Sequence, residues 1–441
     1  MTSSPSFSSS FSRLSLRRSI STDTRRGERP CEEFAKGEGT RSGRSANTTS
    51  RWSSVLLLGF ALMMCSLTAC GSLLRAVKGE SAPAPAPEGD QLAVHRENQS
   101  PGPDVVSAGS IAVFPFENLS GTAVPLGSLR TSLTEELTRR GLHLLDEGTL
   151  ERFMARHRVR YTAGIDEEIA RALKQEIGVE GVLLTSLEFY DEGTVPKIAL
   201  TSRLVSTGDA PAILWVDGVG MAGDDHPGIL GLGLINDPHI LVRKALGMIG
   251  ESLTTRLSGQ GNGKETEKGE RKFRPKIAYR SADLEGERKY TVAIAPFFNK
   301  SDRKNAGDVL VLQFVRALHR LGNFEVVEPG LVRKAFLSLR IIMDEGVSLS
   351  DAQALFAVLG ADLVLAGEVL DYQDYQGFDG TAKVNFTVQL IERKSRMVVW
   401  SFESYNRGDD GVFFFDWGKV NTAHAMAIRM AESIGDILVK R

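Results

Sequence analysis

The sequence predicts an α/β protein with two tandem homologous domains, each a mixed β-sheet packed with α-helices in two layers. Three observations lead to this fold class. The chain has 441 residues, and a single hydrophobic core usually stops growing well below that length. A long internal match divides the chain into two similar parts. Within each part, strand and helix patterns alternate and then give way to three consecutive strands, as expected of a mixed sheet covered by helices.

The internal match is an ordered series of motifs at nearly constant spacing. IAVFPFENLS, which begins at Ile111, aligns with VAIAPFFNKS, which begins at Val292. GVEGVLLTSLEFY, which begins at Gly178, aligns with GADLVLAGEVLDY, which begins at Gly360. The later matched pairs are Trp215/Trp400, Gly223/Gly408, Asp224/Asp409, Asp225/Asp410, Gly233/Gly418, Asn236/Asn421 and His239/His424. Chance does not produce such a series.

The predicted domains are two copies of one fold, at 106–258 and 286–441, joined by a charged, Gly-rich linker at 259–285. Each copy begins with a buried strand, at 111–116 or 292–297, which Pro and Asn in the following turn bring to an end. An amphipathic helix follows, since apolar residues recur on one helical face. These residues are Leu126, Leu129, Leu133 and Leu137 in the first copy and Leu310, Phe314, Leu318 and Leu321 in the second.

The second half of each copy is predicted to hold most of the sheet. A short strand and two helical stretches lead to three longer strands. The short strand is 142–146 or 324–328, and the longer strands are 181–190, 197–206 and 213–218 in the first copy and 363–372, 381–392 and 397–405 in the second. A final helix closes each copy. We expect it to begin at Asn236 or Asp237, before Pro238, and at Asn421 and Thr422 in the second copy, because these residues are typical of helix starts.

The residues before the first copy are typical of a lipid-attachment signal. The apolar run 55–67 has the length of a signal-peptide core and is too short to span a bilayer, which takes roughly 20 apolar residues. The run ends in a tetrapeptide that resembles the lipobox of bacterial lipoproteins, whose cysteine is acylated before cleavage. Its residues are Leu67, Thr68, Ala69 and Cys70. We therefore expect membrane attachment through lipidated Cys70. The alternative is a short buried helix with an incidental cysteine.

The segments around the signal peptide at 51–70 have compositions that do not form a core. Residues 71–105 are rich in Pro, Ala and polar residues, and we expect them to form a disordered tether. Residues 1–50 are rich in Ser and Arg, and we expect a disordered extension that reflects a start assigned too far upstream; an organellar presequence is the alternative. By resemblance to the lipoprotein sorting rule, the absence of Asp after Cys70 favours the outer membrane, facing the periplasm.

Charge and cysteine content argue against several kinds of partner. The net charge is -2 at pH 7, with acids and bases interspersed, so no basic field predicts nucleic acid binding. The cysteines are Cys31, Cys65 and Cys70. Cleavage would leave only the acylated one, so we expect neither a disulfide framework nor a thiolate metal site.

Both copies resemble a domain shared by bacterial envelope proteins. The resemblance rests on the Pro-Phe-x-Asn-x-Ser strand end, the Gly-(Ala/Val)-(Asp/Glu) turn into a strand, and the later strand with Trp215 or Trp400. The group includes the amino-terminal domain of TolB, CsgG, LpoB and PelC. The resemblance implies a TolB-like fold and a non-enzymatic role in protein binding or oligomerisation at the outer membrane. The loops 191–196 and 373–380 are too short for the membrane-spanning hairpins of a CsgG-type pore, so the chain departs from the family there.

Two motifs are candidate sites of chemistry. GVGMAG, at 218–223, fits the glycine pattern of dinucleotide sites, but no suitable helix follows, and a turn that ends a strand is the alternative. The Gly-Asp-Asp pairs with His239 and His424 could hold a divalent ion, whereas the simpler reading is a solvated turn and a histidine in the first turn of a helix. No nucleophile elbow or P-loop occurs in the sequence. We therefore predict no reaction, no cofactor and no metal.

An aromatic cluster near the end of the chain is a candidate partner surface. Its residues are Phe413, Phe414, Phe415 and Trp417. If exposed, they would suit a binding hot spot; the alternative is a packed corner of the core. The predicted function is a lipid-anchored scaffold or interaction protein in envelope assembly, export or control of cell-wall synthases, with envelope proteins or further copies as partners. The alternatives are a ring-forming component of an export system and, third, an enzyme or small-ligand binder.

Overall fold

The computed structural model describes residues 110–225, 233–259, 271–281, 288–343, 346–375, 380–412 and 418–439. The predicted extension, signal peptide and tether lie outside these ranges. All described residues belong to one compact unit, Arg96–Arg441. None of the described helices combines the length and the apolar character that crossing a bilayer requires.

The first repeat contains five strands and four α-helices. They are β1 (Ile111–Val113), β2 (Glu117–Asn118), α1 (Leu126–Arg139), α2 (Glu147–Arg156), α3 (Glu167–Ala172) with a π-helical turn (Leu173–Ile177), β3 (Gly181–Asp191), β4 (Lys197–Ser206), β5 (Ile213–Ala222) and α4 (Pro238–Leu257). The α4 helix begins where the sequence predicts, since the Asp237 carboxylate accepts a hydrogen bond from the backbone of His239 at 2.8 Å.

The second repeat follows the same order of elements, with one additional short strand after its first helix and a strand from the linker before it. The elements are β6 (Ile277–Arg280), β7 (Tyr290–Ile294), β8 (Phe298–Asn299), α5 (Ala306–His319), β9 (Phe324–Val326), α6 (Pro329–Leu339), α7 (Leu349–Leu359), β10 (Leu363–Gln373), β11 (Lys383–Glu392), β12 (Val398–Arg407) and α8 (Ala423–Val439). The Gly-(Val/Ala)-(Glu/Asp) motif marks a helix end, because Gly178 and Gly360 both adopt the left-handed conformation at a helix C-cap.

Each repeat forms one mixed sheet. The first sheet has the order β1-β3-β4-β5, and the second has the order β6-β12-β11-β10-β7-β9. The opening strand of each repeat pairs in parallel with β3 or β10, and the three long strands are antiparallel. Both sheets carry a bulge at matched places, between Leu187 and Phe189 and between Val369 and Asp371. The predicted α/β fold with two similar sheets is confirmed.

The prediction of two layers per repeat is wrong, because helices cover both faces of each sheet. Side chains alternate between the two faces of a strand. On β10, Leu363 and Leu365 pack in one cluster with α5 and α8, whereas Val364 and Ala366 pack in another with α6 and α7. The first repeat has the same arrangement, with α1 and α4 on one face and α2 and α3 on the other. Each repeat therefore has three layers.

The α5 helix is buried on all sides. Its equivalent, α1, has only Leu129, Leu133 and Leu137 buried, as an amphipathic helix should. In α5, nearly every residue from Ala306 to Leu318 is buried. The reason is that α5 and α8 contact β5 of the first repeat as well as their own sheet. One hydrophobic cluster consequently contains residues of both repeats. The domain limits 106–258 and 286–441 stay a prediction.

Candidate functional site

Two glycines of β5 mark the point at which the second repeat docks on the first. His424, in the first turn of α8, packs against Gly218 and Gly220. A β-carbon added at Gly220 would lie 2.5 Å from Cδ2 of His424, and one at Gly218 would lie 3.4 Å from its Cε1. Glycine at these positions therefore leaves room for the imidazole ring. We call Gly218 and Gly220 the glycine seat.

The His424 side chain belongs to a buried polar network that both repeats share. Its Nδ1 contacts a carboxylate oxygen of Glu188 on β3. Gln313 on α5 donates from Nε2 to both oxygens of that carboxylate, at 2.9 and 3.1 Å, and the hydroxyl of Thr201 donates to it at 2.6 Å. These four side chains are at most 1% exposed. The hydrogen bonds replace water around a buried carboxylate, which would otherwise be costly to bury.

A buried ion pair joins the repeats beside this network. Arg203 on β4 donates from Nε and Nη2 to the two carboxylate oxygens of Glu328, at 3.2 and 3.1 Å, and both side chains are fully buried. The main chains also meet closely here. A β-carbon at Gly164 would lie 2.8 Å from Cα of Gly330. Removing one partner of such a pair typically costs about 3–5 kcal/mol, so the pair fixes the fit of one repeat on the other.

A third contact joins β4 to the loop after β10. The buried Lys197 donates from Nζ to the carbonyl oxygen of Tyr375 at 2.8 Å, and the same nitrogen lies 3.4 Å from the centre of the tyrosine ring. Burial lowers the pKa of Lys197, while nearby carboxylates, foremost that of Asp374, act in the opposite direction. Burial also raises the pKa of Asp374, whose carboxylate accepts a hydrogen bond from the backbone of Ala423 at 2.6 Å.

These contacts hold the two repeats together. The shared network, the ion pair and Lys197 are all buried between packed elements. Within the described ranges, no group of three or more His, Cys, Asp or Glu side chains is placed to hold a metal ion. The chemistry that this interface supports is mutual recognition of the two repeats.

The GVGMAG motif is strand rather than a turn at the end of one. Strand β5 continues through the motif to Ala222, so the expectation that the strand ends near Gly218 is wrong. The first two glycines form the glycine seat, and the third has its own role. A β-carbon at Gly223 would lie 2.1 Å from the carbonyl oxygen of Ile235, and one at Gly408 would lie 2.3 Å from that of Val420. The glycines of both Gly-Asp-Asp motifs thus accommodate a crossing backbone.

The two matched histidines have opposite surroundings. His239 and His424 both lie in the first turn of a closing helix, as predicted. His239 is exposed, whereas His424 is 1% exposed and lies in the shared network. The Gly-Asp-Asp turn of the first repeat also contacts the segment just before α8, since Asn421 Nδ2 donates to Asp225 at 3.2 Å. The prediction of an ordinary histidine at a helix start therefore holds for His239 and is wrong for His424, and the turn of the first repeat is not simply solvated.

The second sheet presents an open polar face where the first sheet receives α5 and α8. On β11 and β12, alternate residues point away from α8 and are half-buried or exposed. We call this surface the open face; it consists of Lys383, Asn385, Thr387, Gln389, Ser401, Glu403, Tyr405 and Arg407. Strand register makes Glu403 and Tyr405 the equivalents of the two glycines of the seat. The open face therefore lacks a seat.

Ion pairs and a cation–π contact order the side chains of the open face. Lys383 pairs with Asp371 at 2.7 Å, and Lys300 pairs with Glu368 at 2.8 Å on the neighbouring strand. The ammonium group of Lys276 lies 4.4 Å from the centre of the Tyr405 ring. A surface of this kind, with an aromatic residue among charged ones, suits reversible polar recognition of a protein.

Several predicted site residues cannot be placed. Cys70, with Leu67, Thr68 and Ala69, lies outside the described residues, as do Phe413, Phe414, Phe415 and Trp417. The sequence prediction did not include the glycine seat or the open face. The alignment of the two copies contained a signal for the glycine seat, because GVG at 218–220 aligns with ESY at 403–405. This difference can be interpreted only when the helices that pack on each sheet are known, and the sequence of the strand does not reveal them.

A comparison with known families finds a match within the second repeat. Residues 277–404 match a family model described as the peptidoglycan-synthase activator LpoB. This span is less than a third of the chain and runs from β6 into β12. The second repeat thus carries an LpoB-like domain, and the predicted resemblance is confirmed there. No curated protein matches the chain.

Three solved structures show how distant the structural similarities are. The PelC dodecamer from Paraburkholderia phytofirmans is 18% identical, with a TM-score of 0.27, over 37% of this chain and 96% of that chain. Lipoprotein GNA1162 from Neisseria meningitidis is 19% identical, with a TM-score of 0.23, over 27% and 82%. The LpoB C-terminal domain from Escherichia coli is 15% identical, with a TM-score of 0.21, over 27% and 84%.

Proposed function

We propose that this protein is a non-enzymatic, lipid-anchored regulator of a peptidoglycan synthase, held at the outer membrane on the periplasmic side. The family model on the second repeat supports the regulatory role. The lipobox-like sequence that ends at Cys70 supports the anchor. In this proposal, residues 71–105 form the tether, and the domains at 106–258 and 286–441 form the globular part.

The observation that carries the proposal is the open face of the second repeat. The equivalent face of the first repeat is covered by α5 and α8, so it is not available to another protein. The open face remains accessible and lies within the span that resembles LpoB. We therefore assign the synthase contact to the open face, and we assign to the first repeat the role of fixing the second one in place.

Crosslinking in cells tests the assignment. A photo-crosslinking amino acid is placed at Gln389 or Arg407, which are exposed on the open face, and at Glu135, which is exposed on α1. We expect crosslinks to a peptidoglycan synthase, identified by mass spectrometry, from the first two positions and not from Glu135. Equal yields from all three positions, or no synthase from any of them, would contradict the proposal.

The anchor is tested separately. Cys70→Ala removes the thiol that would carry the acyl chains. Two or three acyl chains hold a protein firmly on a bilayer, because each buried CH2 contributes roughly 0.8 kcal/mol. We expect the variant to lose incorporation of an acyl label and to leave the membrane fraction. A variant that stays unlabelled yet fractionates like the parent would show that Cys70 is not the attachment point.

A further inference from the structure

A cavity of about 430 Å³ lies at the end of the second sheet where β7 and β10 begin and β11 ends. It is lined by Arg288, Tyr290, Asp362, Glu392, Arg393 and Lys394. Its volume falls in the range of about 300–1,000 Å³ that small-molecule sites occupy. It is therefore large enough for a sugar-sized or peptide-sized group rather than a bare ion.

Positive charge predominates at the mouth of this cavity. Glu392 is buried, at only 5% exposure. Arg393 and Lys394, in the turn between β11 and β12, are exposed. Asp362 lies 3.6 Å from the guanidinium group of Arg288 and also accepts a hydrogen bond from the backbone of Thr291. In the part of the chain that the structure describes, neither Arg393 nor Lys394 pairs with a carboxylate.

The first repeat shows that the fold does not require these cations. Its equivalent turn, at 207–212, reads TGDAPA and has no basic residue. The acid in that turn, Asp209, pairs with Arg171 at 2.6 Å. The second repeat has RKSRM in the same place, at 393–397. Two adjacent cations beside a cavity, at a turn that has a different sequence and no basic residue in the first repeat, indicate a role outside folding.

We propose that this cavity binds a sugar-sized or peptide-sized ligand through an oxyanion, either phosphate or carboxylate. Arg393 would supply the planar fork of donors that matches both groups, and Lys394 would supply a second charge. Arg288, which lies over the Tyr290 ring at 5.1 Å, also lines the cavity. The proposal does not depend on the synthase contact, because the cavity lies at the strand ends and the crosslinking positions lie on the open face or on α1.

Binding is tested with the purified full chain in detergent and three related sugars. N-acetylglucosamine 1-phosphate carries a phosphate, N-acetylmuramic acid carries a carboxylate, and N-acetylglucosamine carries neither. We expect calorimetric titration to detect at least one of the two anionic sugars and to show at least tenfold weaker binding of the neutral one. The stronger of the two anions identifies the source of the oxyanion. Raising the salt concentration from about 0.05 to 0.5 M should weaken binding several-fold.

A matched pair of variants locates the site. Arg393→Gln with Lys394→Gln removes the two cations at the cavity. Arg243→Gln with Lys244→Gln removes an adjacent, exposed Arg-Lys pair on α4 and changes the net charge equally. We expect the first double variant to lose at least tenfold in affinity and the second to bind like the parent, while both keep the parent's unfolding midpoint. The proposal is overturned if the neutral sugar binds equally well, if neither anion binds at millimolar concentration, or if both double variants bind alike.

Discussion

At the scale of single residues, the glycine seat is the most demanding position in the molecule. The ring of His424 cannot simply swing away from Gly220, because Glu188 and Gln313 hold it from the other side. Identical residues at matched positions thus depend on different neighbours, as the exposed His239 shows. The space available at Gly220 is therefore set by His424, a residue far away in the sequence.

Gly220→Ala should destabilise the folded protein. The added β-carbon would meet His424 at 2.5 Å, and overpacking of this kind typically costs about 1–3 kcal/mol. Gly247→Ala in α4 is the matched control, because its β-carbon would have no neighbour closer than 3.9 Å and alanine favours a helix by up to about 1 kcal/mol. Urea unfolding measures both variants. Equal midpoints for the two would mean that the seat does not constrain His424.

His319, near the end of α5, should make the protein sensitive to mild acid. Burial, assisted by the nearby Arg256, lowers the pKa of His319 to about 4. In the unfolded chain, histidine titrates near 6.5. As the pH falls from 6.5 towards 4, the unfolded chain gains a proton that the folded chain does not. Stability is therefore lost in this window, by up to about 3 kcal/mol at its lower end.

His319→Gln tests this linkage. The variant cannot take up the proton in either state, so its free energy of unfolding should fall less steeply between pH 6.5 and 4 than that of the parent. His239→Gln removes a histidine from an exposed position and serves as the control. Denaturant titrations at several pH values give the slopes. Parallel slopes for the parent and His319→Gln would contradict the assignment.

At the scale of elements, α1 and α5 show one helix used in two ways. Both carry leucines or phenylalanine at the positions that face their own sheet. Only α5 has a second buried face, because it also packs against β5 of the first repeat. The opposite side of α1 is polar and exposed. The environment of the helix, rather than its position in the repeat, accounts for its composition.

Exchanging matched residues of the two helices should have unequal effects. Leu312 in α5 is 5% exposed and corresponds to Thr131, which is exposed in α1. Leu312→Thr should cost about 2 kcal/mol through lost apolar burial. Thr131→Leu should change stability by less than about 0.5 kcal/mol. Chemical unfolding of the two variants measures these changes. An equal loss of stability from both substitutions would mean that this side of α1 is as buried as that of α5.

Most elements follow from the sequence, whereas their packing partners do not. Alternating apolar residues and capping residues such as Asp237 locate the strands and helices of both copies. The all-round apolar pattern of α5 indicates burial, but it does not say what covers the second face. The short strand predicted at 142–146 is reduced to a single bridge between Ile111 and Leu144. Long-range packing decides these points, and periodicity within one segment does not report it.

At the scale of the whole molecule, the two repeats share one of the three clusters of buried apolar residues found in the described part of the chain. The largest cluster of buried apolar residues draws on both repeats, and the polar contacts of Glu188, Arg203 and Lys197 cross between them. Separating the repeats would expose apolar surface and buried charge together. Such a separation is costly, so neither repeat gains from opening alone.

The two repeats should therefore unfold in a single transition. Trp215 lies in the first sheet and Trp400 in the second, so each can report on one repeat once the other tryptophans are replaced by phenylalanine. We expect the two fluorescence signals to change at the same denaturant concentration and to match circular dichroism. Two clearly separated midpoints would show that the repeats are independent.

The glycine seat also limits how far this architecture can grow. Duplication normally allows an array to lengthen, because each added unit stacks on its predecessor. On the open face of the second sheet, Glu403 and Tyr405 occupy the positions of the two glycines, and their side chains fill the space that a docking helix would need. Docking a third unit in the same way would require Glu403→Gly and Tyr405→Gly, which recreate the glycine seat on the second sheet. The natural sequence therefore does not offer a second glycine seat on the second sheet.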